Sequence, residues 1–262
     1  MIGIFDSGVG GLTLVKEIFK YLPDYQIIYF GDTAHLPYGT KSKRLVRKWS
    51  KEIVKFLLKK GAKVILIACH TASALAADFL KKEFPRIHIF EIITPALKTA
   101  LKVSQNNKIG IIGSPGTIRS QIHKKKILRF KPGLKVYVQS CPLLVPLVEE
   151  GWGGRPETKE ITKHYLLPLK RKGIDTLILA CTHYPLIKNT IAKIIGANVK
   201  IINPAEDLAK EFKNYLNQNK TIEQQLKKGK NHYFFVSDEP YNLKILSKLS
   251  LTKEINPRAI TL

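Results

Sequence analysis

The chain has 262 residues, 44% of them hydrophobic, and it carries 44 Lys and Arg against 20 Asp and Glu, which gives a formal net charge of +24. No apolar run approaches the roughly 20 residues that a membrane-spanning helix needs, and the first predicted strand already begins at Ile2, so we expect a soluble, cytoplasmic protein. Three cysteines are too few for a disulfide scaffold, which predicts free thiols in a reducing compartment.

The first part of the sequence alternates short apolar runs with amphipathic segments. Runs of Val, Ile and Leu without polar alternation are typical of strands that are buried on both faces of a parallel sheet. Strands are predicted at residues 2–5, 26–30, 63–68 and 87–90. Helices are predicted at residues 12–21, 41–60 and 72–84.

The second part repeats this alternation from Thr94 and Pro95, which open a predicted helix. Strands are predicted at residues 108–112, 135–138, 175–180 and 199–202, and helices at residues 117–130, 156–172, 187–195 and 204–218. The chain then returns through a predicted strand at 233–236 and a predicted helix at 239–249.

Two stretches occur twice, which indicates an internal duplication. VILIACHT at residues 64–71 is echoed by TLILACTH at 176–183, and IGIFDSGVGG at 2–11 is echoed by IGIIGSPGT at 109–117. The predicted fold class is therefore α/β, with two pseudo-symmetric lobes, each a mostly parallel sheet flanked by helices. Residues 1–93 with 207–262 would form the first lobe and residues 94–206 the second, with the active site in the cleft between them.

Both copies place a thiol where a buried strand ends, at Cys69 and at Cys181. Ligands of parallel α/β sheets bind beyond the carboxyl ends of the strands. Two sulfurs on opposite faces of a tetrahedral carbon can remove a proton on one side and return one on the other, without metal or pyridoxal phosphate. Asp6 near Cys69 and His183 near Cys181 are the available groups to poise the thiols, with Glu149 as a third.

Three other features of the sequence bear on what kind of site this is. No CxxC pair or zinc-ligand spacing occurs, so no metal site is predicted. Cys141 lies in an apolar, Pro-rich segment and is interpreted as a packing residue. The GVGG loop after Asp6 lacks the dinucleotide-binding fingerprint, because Thr13 stands where the last Gly would be; it is either a tight turn or a backbone cradle for a small carboxylate.

Five motifs resemble those of the glutamate racemase family: DSGVGGLT from Asp6, GDTAHLPYG from Gly31, ACHTASA from Ala68, CPLLVPLVEEG from Cys141 and CTHYPL from Cys181. The resemblance spans essentially the whole chain. It implies interconversion of L- and D-glutamate for peptidoglycan precursors, without a cofactor, by a homodimer in many members.

The resemblance also implies roles for individual residues. Cys69 would deprotonate D-glutamate and Cys181 would deprotonate L-glutamate, with Asp6, Glu149 and His183 assisting. Substrate contacts are implied at Asp6, Ser7, Tyr38, Gly39, His70, Thr71, Thr117, Thr182 and His183. His70 is a departure, since the family usually has Asn there; an imidazole can still donate a hydrogen bond, but it is larger and titrates near neutrality.

Two alternatives stay open at this point. A racemase of another amino acid, such as aspartate, would share the paired cysteines. A protein of a different class, an inactive relative that binds nucleic acid, would use the strongly basic charge, since such a field attracts polyanions.

Overall fold

The computed structural model describes residues 1–239, 247–248, 250–251 and 255–262. The first part contains β1 (Ile2–Asp6), α1 (Leu12–Tyr21), β2 (Ile27–Gly31), α2 (Lys43–Lys59), β3 (Val64–Ile67), α3 (His70–Glu83) and β4 (His88–Glu91). The second contains α4 (Ile93–Val103), β5 (Lys108–Gly113), α5 (Pro115–Arg119), α6 (Ile122–Phe130), β6 (Lys135–Ser140), α7 (Leu144–Glu149), α8 (Pro156–Arg171), β7 (Thr176–Ala180), α9 (Lys188–Ile195) and β8 (Lys200–Ile202). The chain continues through α10 (Pro204–Gln218), α11 (Lys220–Gln224), β9 (Tyr233–Val236) and β10 (Arg258–Ala259).

The described strands form two parallel sheets. The first has the order β10-β9-β2-β1-β3-β4 and the second the order β6-β5-β7-β8. β1 and β3 are neighbours in the first sheet, and β5 and β7 are neighbours in the second, so the repeated stretches occupy equivalent central positions. The predicted α/β class with two duplicated parallel sheets is confirmed, while the residue boundaries of the two lobes stay a prediction.

The central strands are buried on both faces, as their unbroken apolar sequences predict. Ile2 and Ile4 of β1 share one core cluster with α1, α4, α10 and the β5 and β7 strands of the second sheet. Phe5 points the other way and packs in a second cluster with α2 and α3. A third cluster lies between the second sheet and α7, α8 and α9. One apolar core therefore joins the two sheets and holds their strand ends in a fixed arrangement.

One local prediction is corrected by the structure. The single helix predicted at 117–130 is two helices, α5 and α6, because Gln121 has a left-handed backbone with φ of 55°. The hydroxyl of Ser120 donates to the Thr117 carbonyl at 2.6 Å and accepts from the Ile122 N–H at 3.3 Å, so a side chain replaces helical backbone bonds at the break. The helix predicted at 239–249 falls largely outside the described residues.

The two thiol-bearing strands end differently. Cys69 caps α3, and the Ala72 N–H donates to its Sγ at 3.4 Å. After β7 the chain instead passes through Cys181 into a 3-10 turn at Tyr184–Ile187 before α9 begins. Within the described part of the chain, no helix combines the length and apolar character needed to cross a membrane.

Candidate active site

A cavity lies where the carboxyl ends of β1 and β3 face those of β5 and β7. It contains both candidate thiols and residues from both sheets. Its lining consists of Ser7, Leu36, Pro37, Tyr38, Gly39, Cys69, His70, Thr71, Ser114, Thr117, Val145, Ala180, Cys181, Thr182 and His183. A single small molecule in this cavity would thus contact one thiol from each half of the duplication.

The first thiol, Cys69, is buried and protonated at neutral pH. Its Sγ donates to Ser7 Oγ at 3.5 Å and accepts from the Ala72 N–H. Burial raises the pKa of Cys69 to about 12, and the negative charge of Asp6 adds to the rise, while the two hydrogen bonds oppose it. This sulfur is a proton donor in the state that the structure describes.

Asp6 lies beneath the cavity surface and is fully buried. Its Oδ2 accepts the N–H groups of Gly8 and Gly11, each at 3.1 Å, and its Oδ1 accepts from Thr182 Oγ1 at 3.5 Å. Burial raises the pKa of Asp6, although the His183 charge and the backbone bonds work against that rise. The GVGG loop therefore cradles a carboxylate of the protein itself, where the sequence also allowed a substrate carboxylate.

Gly10 and Gly11 permit this arrangement because their backbones make close approaches. A Cβ at Gly11 would lie 2.4 Å from Asp6 Cβ, and one at Gly10 would lie 2.5 Å from the His183 ring. The loop of the first half thus packs directly on the thiol turn of the second half. Thr13 Oγ1 reinforces this contact by donating to the Thr182 carbonyl at 3.1 Å.

The second thiol, Cys181, lies beside a charged pair. His183 Nδ1 is 3.9 Å from Cys181 Sγ, and its Nε2 is 3.0 Å from Glu149 Oε1. Burial would lower the pKa of His183, but its bonds to Cys181 and Glu149 outweigh that effect and raise it to about 10. His183 is therefore an imidazolium at neutral pH, and it places a positive charge beside the Cys181 sulfur.

The two sulfurs consequently occupy opposite electrostatic settings. Cys69 is next to the carboxylate of Asp6 and holds its proton, whereas Cys181 is next to the imidazolium of His183. A protonated thiol and a second sulfur beside a cation thus line the same cavity, and removing a proton from a carbon and replacing it from the other side needs an acid and a base in two such places.

Three hydroxyl groups form a cluster at the rim of this cavity. Thr71 Oγ1 is 3.1 Å from Ser114 Oγ and 3.0 Å from Thr117 Oγ1, and Ser114 Oγ donates to Thr117 Oγ1 at 3.0 Å. Hydroxyls rotate to suit a ligand, so this cluster can turn donors toward a carboxylate. Gly39 closes over it, because a Cβ there would lie only 3.0 Å from Ser114 Oγ.

Tyr38 lines the cavity, but its hydroxyl proton is already used. The hydroxyl donates to Asp32 Oδ2, and Asp32 also accepts from Ser237 Oγ at 2.8 Å and contacts His35 Nδ1 at 2.8 Å. Burial, followed by the nearby Asp32, raises the pKa of Tyr38 well above its ordinary value. Tyr38 therefore offers a ligand its ring and backbone, or a hydroxyl lone pair, but no free O–H donor.

His70 lines the cavity and forms a buried pair with a second histidine. Its Nδ1 lies 3.2 Å from Nε2 of His123 on α6, and both side chains are buried. Burial, with a contribution from His123, lowers the pKa of His70 well below its usual value. Burial also lowers the pKa of His123 to about 4, against the raising effect of Glu91. Both rings are neutral at physiological pH.

The structure brings most of the predicted site residues to one cavity. Ser7, Tyr38, Gly39, Cys69, His70, Thr71, Thr117, Cys181, Thr182 and His183 line it, whereas Asp6 lies behind the surface and Glu149 reaches it through His183. Cys141 is buried outside this lining, in the third core cluster.

Sequence reasoning missed Ser114, Asp32 and His123. The echo of Ser7 at position 114 was a usable signal for Ser114. His123 acts through His70, 53 positions away in the sequence, and left no local pattern, whereas Asp32 lies within the GDTAHLPYG motif but was not singled out. Among the described residues, no group of three or more His, Cys, Asp or Glu is arranged to hold a metal ion.

Comparison with known proteins shows which family the chain resembles. A model of the Asp/Glu/Hydantoin racemase family matches residues 4–211. Glutamate racemase of Geobacter metallireducens is 44% identical over 239 residues, covering 91% of this chain and 88% of that protein. Glutamate racemase of Aquifex aeolicus is 41% identical, covering 98% and 96% respectively.

A solved structure agrees with these relatives. The crystal structure of glutamate racemase from Francisella tularensis in complex with D-glutamate superposes with a TM-score of 0.90 at 37% identity, covering 100% of this chain and 97% of that one. The match includes both sheets and therefore both thiol-bearing strand ends. The chain belongs to the Asp/Glu/Hydantoin racemase family and is an amino-acid racemase, an isomerase.

Proposed function

We propose that this protein is a cofactor-independent glutamate racemase that inverts Cα by a two-thiol mechanism. The observation that supports it most directly is the pair of thiols on one cavity in opposite settings, Cys69 holding its proton and Cys181 beside the imidazolium of His183. Glutamate is proposed as the substrate because the similar proteins are glutamate racemases.

In the L-to-D direction, the Cys181 thiolate removes the α-proton of L-glutamate. The Cα–H bond breaks, its electron pair stays on the substrate, and an S–H bond forms at Cys181. The Cys69 thiol then gives its proton to the opposite face of Cα, which breaks its S–H bond and leaves a thiolate. The D-to-L direction runs the same steps in reverse, with Cys69 as the base.

Two carboxylates adjust the charges during this exchange. A Cys69 thiolate next to the Asp6 carboxylate would place two negative charges together in a buried site. Asp6 has a pKa raised by burial, so it can accept the proton of Cys69 itself, which breaks the S–H bond and forms the thiolate that acts on D-glutamate. On the other wall, Glu149 stabilises the His183 imidazolium, which in turn balances the charge on Cys181.

The polar lining fits an amino acid with two carboxylates. The hydroxyls of Thr71, Ser114 and Thr117 and the ring of His70 can donate to carboxylate oxygens on one side. Thr182 and Ser7 add hydroxyls beside the two sulfurs. The resemblance further supports a role in supplying D-glutamate for peptidoglycan synthesis in the cytoplasm, and a homodimer as the working form.

The test is racemisation of pure L-glutamate in deuterium oxide without added cofactor. At early times the D-glutamate product should carry deuterium at Cα, because its proton comes from Cys69, while the remaining L-glutamate stays protiated. Cys69→Ser and Cys181→Ser should each abolish racemisation of both enantiomers. Cys141→Ser is the matched control, since that thiol is buried outside the cavity, and it should keep most of the activity.

Equal deuterium in substrate and product from the start would point to a single base and overturn the mechanism. A folded wild type that leaves L-glutamate unchanged would overturn the choice of substrate. Aspartate would then be tried next, and after it salt-dependent retention on DNA, which the charge of +24 makes the relevant alternative.

A further inference from the structure

Neither ring of the buried His70–His123 pair is fully hydrogen-bonded. Among the residues that the structure describes, Nε2 of His70 and Nδ1 of His123 have no hydrogen-bond partner, although both atoms are buried. The two rings are 5.4 Å apart between centroids and inclined by 23°. Buried polar atoms are nearly always paired, so an orphaned nitrogen on a cavity-lining ring is the kind of atom that a ligand completes.

A hydrogen bond between two neutral imidazoles has two proton arrangements. If Nε2–H of His123 donates, Nδ1 of His70 accepts, and the proton of His70 must sit on its Nε2. If Nδ1–H of His70 donates, its Nε2 carries only a lone pair, and His123 keeps its own proton on the unpartnered Nδ1. Only the first arrangement gives the cavity an N–H donor.

The surroundings of His123 favour that first arrangement. His123 is 3% exposed and lies outside the cavity lining, so a ligand there does not satisfy its Nδ1. An orphaned buried N–H is rarer in proteins than an under-used acceptor. Placing the His123 proton on Nε2 leaves an acceptor, and not a donor, unpaired at Nδ1.

We propose that His123 is a positioning residue that fixes the orientation and tautomer of His70, so that Nε2–H of His70 donates to a carboxylate of the bound substrate. This inference rests on the proposed function, which places a dicarboxylic amino acid in the cavity. An asparagine amide, which the family usually has here, carries its donor in every protonation state. A histidine at this position needs a second group to specify where its proton lies, and His123 supplies it.

The tautomer can be read directly by nitrogen NMR of the histidine rings in the intact protein. The expected spectrum of wild type shows His70 protonated on Nε2 and His123 protonated on Nε2. In His123→Phe, which keeps the ring shape but removes the donor, the His70 signals should shift toward a mixture of tautomers. A wild-type His70 protonated on Nδ1 overturns the proposal.

Kinetics on both enantiomers of glutamate provide the second arm. His123→Phe should raise KM by about tenfold with a much smaller change in kcat, since a hydrogen bond to a charged group is lost. His123→Gln, whose amide N–H can replace the His123 donor, should restore KM. His164→Phe, the same change at an exposed position on α8, should leave both parameters unchanged.

A double-mutant cycle separates positioning from simple packing. In a His70→Asn background the amide needs no partner to set its proton, so adding His123→Phe should leave KM unchanged. An equal rise in KM in both backgrounds would mean that His123 acts through packing, and the proposal would fall. If wild type shows the expected tautomer but does not racemise glutamate, the substrate assignment fails while the role of His123 toward His70 stands.

Discussion

Replacing Glu149 by Gln removes one negative charge from the His183 pair and keeps the shape of the side chain. The Gln oxygen can still accept from Nε2 of His183, which Glu149 Oε1 now contacts at 3.0 Å. The substitution therefore removes the negative charge next to a buried imidazolium. It tests whether that carboxylate is what keeps His183 protonated.

The size of the effect follows from the pKa of His183. Its rise from 6.5 to about 10, against burial, corresponds to roughly 5 kcal/mol at about 1.4 kcal/mol per pKa unit. Cys181 and Glu149 share this stabilisation, so the charge of Glu149 contributes on the order of 2 kcal/mol, in line with hydrogen bonds to charged groups.

The pH dependence has a definite sign. A histidine whose pKa is raised on folding stabilises the folded state fully below about pH 6.5, and that contribution is lost as pH rises through about 10. Glu149→Gln should thus lower the melting temperature near pH 7 by about 4 to 8 °C. The difference in melting temperature between variant and wild type should narrow as the pH approaches and passes 10.

Activity should change in the same direction. A loss of about 2 kcal/mol in the transition state corresponds to about a 30-fold fall in kcat. The alkaline limb of the kcat profile should also move to lower pH, because His183 would lose its proton earlier. Racemisation of L-glutamate followed by circular dichroism between pH 6 and pH 10 measures both kcat and the position of its alkaline limb.

The neighbouring carboxylate provides the control. Glu150 is exposed, and Glu150→Gln should leave the melting temperature and the pH profile as in wild type. If Glu149→Gln behaves like this control, Glu149 does not maintain the charge of His183, and the account of the second thiol is wrong.

Two further substitutions probe the first thiol and the cavity rim. Asp6→Asn should lower the pKa of Cys69 while leaving it above its ordinary value, because the thiol stays buried. Alkylation of Cys69, followed by mass spectrometry, should therefore begin at a lower pH in the variant than in wild type. An unchanged pH profile of alkylation would contradict the role of Asp6. Gly116→Ala should cost about 1 to 3 kcal/mol of stability and raise KM, since the added Cβ would lie 2.6 Å from the Gly39 carbonyl oxygen. Gly154→Ala is the control and should be neutral, because its Cβ would have no described atom within 4 Å.

Much of this architecture could be predicted from the sequence because its signals are local. Unbroken apolar runs marked the central strands, and the repeated Cys-terminated stretches marked Cys69 and Cys181 at the strand ends. The break at Gln121 was missed because it involves two hydrogen bonds of one side chain, the hydroxyl of Ser120. Periodicity carries no information about one left-handed residue.

Partners that are distant in sequence could not be predicted in this way. His123 on α6 reaches His70, and Asp32, which follows β2, accepts a hydrogen bond from Ser237, which follows β9. These contacts exist only after the helices have packed on the two sheets. The sequence shows which residues have the right chemistry, but packing decides which of them face each other.

The two halves of the duplication differ in the residues that surround their thiols. A strictly symmetric cavity would give both thiols the same neighbours, and nothing in it would then decide which sulfur holds a proton. Cys69 caps a helix beside the buried Asp6, whereas Cys181 enters a 3-10 turn that brings His183 alongside it. The equivalent strands place the two sulfurs on one cavity, and the unequal turns place a carboxylate near one sulfur and an imidazolium beside the other.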